Sequence, residues 1–207
     1  MFSDECSIAR GSRQNSTWVW RLPHQKWERS MIEEVSTGRQ PAQMVWASIW
    51  IDSGGQVRRS PLVIMTRDPS AKRNGYSAWS YTEALEEGLL PSYSPGEWFM
   101  QDNARIHTAV HSREWLMDHG IAWIEWPPYS PDLNPIEHLW WTLKKKLHEL
   151  HPELDYMGES QSEWDAFEAG LKEAWDAIPD SLIYTLITSM PQRLADCRQA
   201  WGYQTKY

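Results

Sequence analysis

Three acidic side chains sit where the chain changes direction, and carboxylates in such places either hold metal ions or cap helices. Asp4 lies in the short apolar–polar run MFSDECSI, Asp102 ends EWFMQD, and Glu137 follows the turn SPDLNP at the start of a helical run. Thirty-four residues separate Asp102 from Glu137. Hard oxygen donors of this kind suit Mg2+ or Mn2+, with water and a substrate phosphate completing an octahedron. Two such ions can activate an attacking oxygen and stabilise a leaving one in an in-line phosphoryl displacement. Each acid also has a plainer use. Asp4 can be an exposed acid near the terminus. Asp102 precedes Asn103 at a strand-to-helix junction, where both residue types make turns and caps. Asn134 as N-cap, Pro135 at N1 and Glu137 at N3 form a capping-box pattern. Asp132 competes for the third position, although SPDLNP gives it a turn role. Spacing alone leaves cap and ligand both open.

Ligand sites in open α/β sheets lie at the carboxyl ends of parallel strands, so the surrounding elements decide whether the acids meet. MFSDECSI and STWVWRL read as strands. In MVWASIWID, Val45, Ala47, Ile49 and Ile51 alternate with Trp46, Ser48, Trp50 and Asp52, the period of a strand with two distinct faces. SGG at 53–55 then turns the chain into a further strand over 56–66. The polar, Pro-containing stretch at 21–43 is long for a connection and points to a functional loop. Beyond it the pattern alternates: helix over YSAWSYTEALEEGLL, strand over EWFMQDN, helix over HTAVHSREWLMDH, strand over IAWIEW, helix over NPIEHLWWTLKKKLHEL. Strand–helix alternation after a set of strands predicts a mixed sheet with helices on its faces. From about residue 160 the pattern is helical, interrupted at Gly170 and Pro179. The economical reading is one α/β domain, with a core over 1–150 and a helical C-terminal part over 151–207.

A chain of 207 residues can bury a real core in one domain. It has no run of about 18 apolar residues and no charged-then-apolar leader, so neither a membrane span nor a secretion signal is expected. Cys6 and Cys197 show no metal-ligand or redox spacing and read as free thiols. Most of the fifteen tryptophans should be core or groove-lining. A net charge of −8 argues against a nucleic-acid partner, because phosphates are met chiefly by Lys and Arg. The distribution softens this. Residues 1–101 hold 11 basic and 11 acidic side chains, whereas 152–207 hold 4 and 10. A basic cluster of Arg58, Arg59, Arg67, Lys72 and Arg73 survives in the neutral part as a candidate for DNA backbone contact, beside the reading of a solvated turn. Lys144, Lys145 and Lys146 lie largely off the apolar stripe Ile136, Leu139, Trp140, Leu143 and Leu147. They can meet phosphates or simply complement the helix dipole. His107 is near enough to Asp102 in sequence to line a site, with capping or packing as its plainer role.

The stretches FSDE, MVWASIW, FMQDNARIHTA and WPPYSPDLNPIEHLWWTLKKKL, with the terminal SMPQRLADCRQAWGYQTKY, resemble the catalytic domain of mariner-type DDE transposases over nearly the whole chain. The most specific pieces are QDNA…HTA, YSPDLNPIEHLW and the interval of thirty-four residues between the acids. The resemblance implies a ribonuclease H-like mixed five-stranded sheet flanked by helices, with a helical C-terminal extension. It makes Asp4, Asp102 and Glu137 the catalytic triad and the ligands of two Mg2+ or Mn2+ ions, with the turn before Glu137 aiming it at them. It further implies DNA strand cleavage and strand transfer, with transposon ends and target DNA as partners, a homodimer, and nuclear residence. The stretch at 21–43 takes the place of an insertion used for subunit contact and DNA clamping. Helix-turn-helix DNA-binding units, expected ahead of such a domain, are read as absent, so the chain is expected to be a fragment or remnant. The rival expectations are a non-catalytic DNA- or protein-binding domain and a stand-alone nuclease. So near Met1, the first strand looks clipped, and Asp4 is expected to be loosely held.

Overall fold

The computed structural model describes residues 1–9, 42–72, 74–156, 160–203 and 205–207. The expected strand STWVWRL, the polar stretch up to residue 41 and Arg73 lie outside the described residues.

Among the described residues the strands are β1 (Phe2–Ala9), β2 (Ala42–Ile51), β3 (Val57–Arg59), β4 (Val63–Ile64), β5 (Phe99–Met100) and β6 (Trp123–Ile124). The helices are α1 (Ala78–Gly88), α2 (Arg105–Thr108), α3 (Val110–Asp118), α4 (Glu137–Leu150), α5 (Gln161–Asp176), α6 (Asp180–Thr188) and α7 (Met190–Gln199). They form a mixed sheet in the order β3-β2-β1-β5-β6, with β4 also paired to β2. β1 runs antiparallel to β2 and parallel to β5, and β5 parallel to β6.

β1 is thus a central strand. Eight Cα pairs, Phe2↔Ile49 through Ala9↔Ala42, tie it to β2, while Met100 N donates to Met1 O at 2.8 Å on the other side. The α-amino group is itself used, donating to Trp98 O at 2.5 Å. The expectation of a clipped, loosely held first strand is corrected: β1 is paired to β2 along its length, Asp4↔Ala47 included, and to β5 at Phe2.

The alternation read in 44–52 divides the core in two. Val45, Ala47 and Ile49 pack with Ile136, Leu139, Trp140 and Leu143 of the α4 segment and with Phe167, Leu171 and Trp175 of α5. Trp46 points the other way, into a cluster with Tyr81 and Leu85 of α1 and Trp115 and Leu116 of α3. Gly88 ends α1 against that indole, so closely that a Cβ there would stand 2.4 Å from Trp46 Cζ3. Helices therefore cover both faces.

The strand expected over 56–66 is broken at Ser60-Pro61-Leu62, and its two pieces pair with one edge of β2. Pro61 brings no backbone donor, and the Ser60 carbonyl turns away to accept from Trp175 Nε1 at 2.9 Å. Ser60 Oγ accepts from Ser48 N in its place at 2.8 Å. The helix expected over 107–119 is likewise two, because Ala109 is extended at φ −59°, ψ 146°. Ser77 and Ser80 cap α1 reciprocally, and Ser160 with Glu163 does the same for α5.

Candidate active site

The register of the sheet puts two of the acids side by side. Phe2 pairs with Met100 across the parallel β1–β5 junction. Asp4 and Asp102 each stand two residues further on, Asp4 within β1 and Asp102 just past the carboxyl end of β5, the end at which open α/β sheets hold ligands.

Glu137 arrives from the opposite end of the chain. The turn Pro131–Leu133 is a short 3-10 helix, and α4 starts at Glu137 with Ile136 as its cap residue and no side-chain cap bond. The capping alternative is met only in part: Asn134 Oδ1 accepts from Ile136 N at 3.4 Å. Its amide nitrogen reaches a distant partner as well: Nδ2 donates to Ser3 O at 3.0 Å, in a buried setting. Ser3 Oγ in turn donates to Met100 O at 2.8 Å. Ser3 thus joins three segments: the strand of Asp4, the strand leading to Asp102 and the turn leading to Glu137.

The Glu137 and Asp4 carboxyls lie near enough for each to bias the other's protonation. Burial, with the neighbouring charges of Glu5 and Glu137, pushes the Asp4 carboxyl up to about 8. Burial likewise raises Glu137. Trp140, one turn along α4 from Glu137, donates Nε1–H to Asp4 Oδ2 at 2.9 Å. Two carboxyls crowded out of water in this way repel each other unless a proton or cation lies between them.

Asp102 is nearby, close enough for its charge to raise Glu137, but its carboxylate is engaged elsewhere. Oδ1 accepts from His107 Nδ1 at 2.6 Å and from Ala104 N at 2.8 Å. The His107 bond holds Asp102 below its ordinary range. His107 itself is 2% exposed. Burial alone would lower its pKa, but Glu5 and Asp102 raise it to about 10. The imidazolium therefore bridges Asp102 and Glu5, whose Oε1 it meets at 3.1 Å. Tyr81 lies against the ring at a centroid distance of 4.2 Å and donates its hydroxyl to Gln101 Oε1 at 2.5 Å. Among the described residues no three His, Cys, Asp or Glu side chains already surround one common point. Asp4 and Glu137 are brought together; Asp102 stands beside them, turned toward His107.

A cleft of about 480 Å³ opens beside Asp102, between α2–α3 and the β6 edge. Asn103, Arg113, Trp123 and Trp126 line it, and Asn103 Nδ2 donates to Trp126 O at 2.5 Å.

The basic candidates are dispersed in their use. Lys144, two turns from Glu137 on α4, biases both Glu137 and Cys6 toward ionisation. Lys145 pairs with Glu149 at 3.7 Å and lies over the Trp141 ring, and Lys146 pairs with Glu149 at 3.0 Å. Arg58 pairs with Asp52 at 2.8 Å. Arg67 donates to Asn74 O at 3.1 Å and stacks on Tyr76, while Lys72 is exposed. Arg59 is engaged within the fold: it donates to Trp175 O and Ile178 O, each at 2.7 Å, and to Asp180.

Sequence reasoning passed over Glu5, the indole N–H of Trp140 and the amide of Asn134. The signal for Trp140 was available, since a tryptophan buried one helical turn from an acid needs a partner for its N–H.

Comparison with known proteins completes the picture. The sequence model of the family described as DDE superfamily endonuclease matches residues 76–157. The Tc1 transposase of Caenorhabditis elegans is 32% identical over 212 aligned positions, covering 100% of this chain and 70% of that protein. The Tcb2 transposase of Caenorhabditis briggsae is 39% identical with the same coverage. Among solved structures, a Mos1 transposase paired-end complex superposes with a TM-score of 0.55 at 22% identity, covering 99% of this chain and 55% of that one. This likeness shows the fold, a mixed sheet flanked by helices of the ribonuclease H-like kind. The shared sequence over its whole length, with the fold, makes the chain a catalytic domain of the Tc1/mariner family of DDE transposases.

Proposed function

We propose that Asp4, Asp102 and Glu137 are the catalytic acids of this domain and bind two divalent cations, Mg2+ or Mn2+, for cleavage and joining of DNA strands. The observation that supports this most is the convergence of three remote segments: the sheet register sets Asp4 beside Asp102, and Trp140, one turn along the helix from Glu137, bonds the Asp4 carboxylate. The donor set fits the ions, being all carboxylate oxygen, and a cation between Asp4 and Glu137 would relieve their repulsion. Mos1 transposase, of the same fold, has been crystallised as a paired-end complex with Mn and with Mg.

The bound ions would supply Lewis-acid activation of water and stabilisation of the departing oxygen. The chain's own residues would do the rest. Trp140 fixes the Asp4 carboxylate by its N–H bond. Ser3 and Asn134 hold the three acid-bearing segments in register. His107 holds Asp102 through Nδ1. The cleft beside Asp102, lined by Arg113 and two tryptophans, offers a wall for the DNA strand.

Nicking of supercoiled plasmid by the purified chain with Mn2+ or Mg2+ tests the reading, with Asp102→Ala as control. Nicking that the substitution leaves intact would remove the mechanism. Nicking without strand joining would identify a nuclease. Because the chain spans 55% of Mos1 transposase, recognition of transposon ends, pairing of two copies and nuclear residence are carried here as part of the same proposal. Sedimentation of the purified chain tests the pairing. Among the described residues no helix is long and apolar enough to cross a membrane.

A further inference from the structure

The C-terminal segment reaches the acids indirectly, through the turn that launches α4. Arg193 of α7 is 1% exposed, an unusual place for a guanidinium. Its Nη1 donates to Asp132 O at 2.6 Å, inside the Pro131–Leu133 turn, and its Nε donates to Ser189 Oγ at 2.9 Å. Nη2 stands 3.4 Å from Nδ1 of His138, the residue after Glu137. The outer side of the same turn is also held. Asp132 Oδ2 accepts from Thr205 N at 3.0 Å and from Thr205 Oγ1 at 2.8 Å. The Tyr207 ring lies against Arg193, with Cζ 4.5 Å from its centroid, and Lys206 pairs with Asp196 of α7 at 3.1 Å.

The turn is therefore gripped from three directions: by Arg193 on its backbone, by Thr205 on its side chain, and by Asn134 reaching to Ser3. Every one of these contacts acts on residues within five positions before Glu137. A planar guanidinium sets direction as well as distance, which a flexible ammonium cannot do. Such an arrangement exceeds what is needed to stop a surface turn from fraying.

We propose that Arg193 and Thr205 are positioning residues, which hold the start of α4 so that Glu137 meets Asp4, and that α7 and the tail thereby set the metal affinity of the site. This rests on the reading of the acids as metal ligands. Partners that orient metal ligands typically change affinity or activity by about 10–100-fold when removed.

The test titrates Mn2+ into the full 207-residue chain by calorimetry and measures kcat and KM for plasmid nicking, with thermal melting as the fold control. Arg193→Lys keeps the charge and loses the fork; Thr205→Val, in the half-buried tail, removes a hydroxyl. The expected result for Arg193→Lys is a loss of Mn2+ affinity of about tenfold or more, and a lower kcat with KM for DNA unchanged. Thr205→Val shifts both readouts in the same direction while the melting midpoint stays near that of the parent, and it decides the matter if Arg193→Lys misfolds. Variants that bind Mn2+ and turn over like the parent, with only a lower midpoint, overturn the proposal and leave the metal-ligand reading standing. A parent chain that binds no Mn2+ overturns both together.

Discussion

Trp140 Nε1 donates to Asp4 Oδ2 at 2.9 Å across 136 residues of sequence, binding the helix of one acid to the carboxylate of another. Because both groups are largely withdrawn from water, the bond fixes the carboxylate rather than competing with solvent. Trp140→Phe keeps an aromatic ring on the side of Trp175, whose centroid stands 5.8 Å from that of Trp140, and gives up the pyrrole ring with its N–H. It leaves one oxygen of Asp4 without its donor. The expected outcome is a Mn2+-dependent nicking rate reduced by about tenfold or more at a temperature where both proteins are folded, with a melting midpoint lowered by the smaller ring in the core. Plasmid nicking and thermal melting of the two proteins, side by side, check it.

The crowding of Asp4 gives a pH prediction. Its carboxyl is raised from 3.8 to about 8 in the folded chain by burial and by the Glu5 and Glu137 charges. The folded state therefore holds this proton more tightly than the unfolded chain does. Its contribution to stability is full below about pH 4 and is lost as pH rises through about 8. Without metal, the melting midpoint should fall across that window. Mn2+ displaces the proton, so the midpoint gain it confers should grow between pH 6 and 8. Asp4→Asn should flatten the metal-free dependence and abolish most of the gain. Melting curves at several pH values, with Mn2+ and with chelator, measure both slopes.

How far the sequence foretold this site depends on the range of each interaction. Strand alternation is local, so Val45, Ala47 and Ile49 declared one face and Trp46 the other, and the clusters follow that division. The broken strand was also local in cause, but Pro61 carries its meaning only once Trp175 is seen to take the Ser60 carbonyl. Asn134 shows the limit most clearly. Its sequence setting fits an N-cap, and its Oδ1 does accept from Ile136 N, but nothing nearby says that a strand 131 residues away will take its Nδ2 donor. His107 was legible as a neighbour of Asp102, yet its clamp depends equally on Glu5, from a strand 102 residues earlier. The acids themselves were named by motif and interval, whereas the residues that hold them had no such mark.

Gly88 tests the packing claim on the opposite face of the sheet. Its Cα lies so near the Trp46 ring that an added Cβ would fall 2.4 Å from Cζ3 and 2.8 Å from Val63 Cγ2. Trp46 is fully buried and pinned between β4 and α1, so it has little room to retreat. Gly88→Ala should destabilise the fold by about 1–3 kcal/mol, the range for overpacking a well-filled core. Since the contact lies away from the acids, nicking at a temperature where the variant stays folded should match the parent. Urea unfolding, followed by tryptophan fluorescence, gives the first number, and the plasmid assay the second.

Arg59 and Lys72 belong to one basic cluster in the sequence but differ in their surroundings in the fold. Arg59 sends its guanidinium to the Trp175 and Ile178 carbonyls at the end of α5, joining the sheet edge to the helical layer. Its side chain is 16% exposed. Arg59→Ala removes the side-chain donor from both carbonyls, of which Trp175 O still accepts from Ile178 N at 3.2 Å, and should cost about 1–3 kcal/mol of stability, leaving the salt dependence of DNA binding as it was. Lys72 is exposed, and its replacement by Ala should leave the melting midpoint within about 0.5 kcal/mol of the parent's stability. If Lys72 meets a phosphate, the slope of log affinity against log salt should shallow by about 1 in that variant. Fluorescence anisotropy on a short duplex at several salt concentrations measures the slope, and a variant at Lys72 with an unchanged slope would strike it from the DNA-contacting residues. A shallower slope in Arg59→Ala at full folding would show that its guanidinium leaves the α5 carbonyls to meet the duplex.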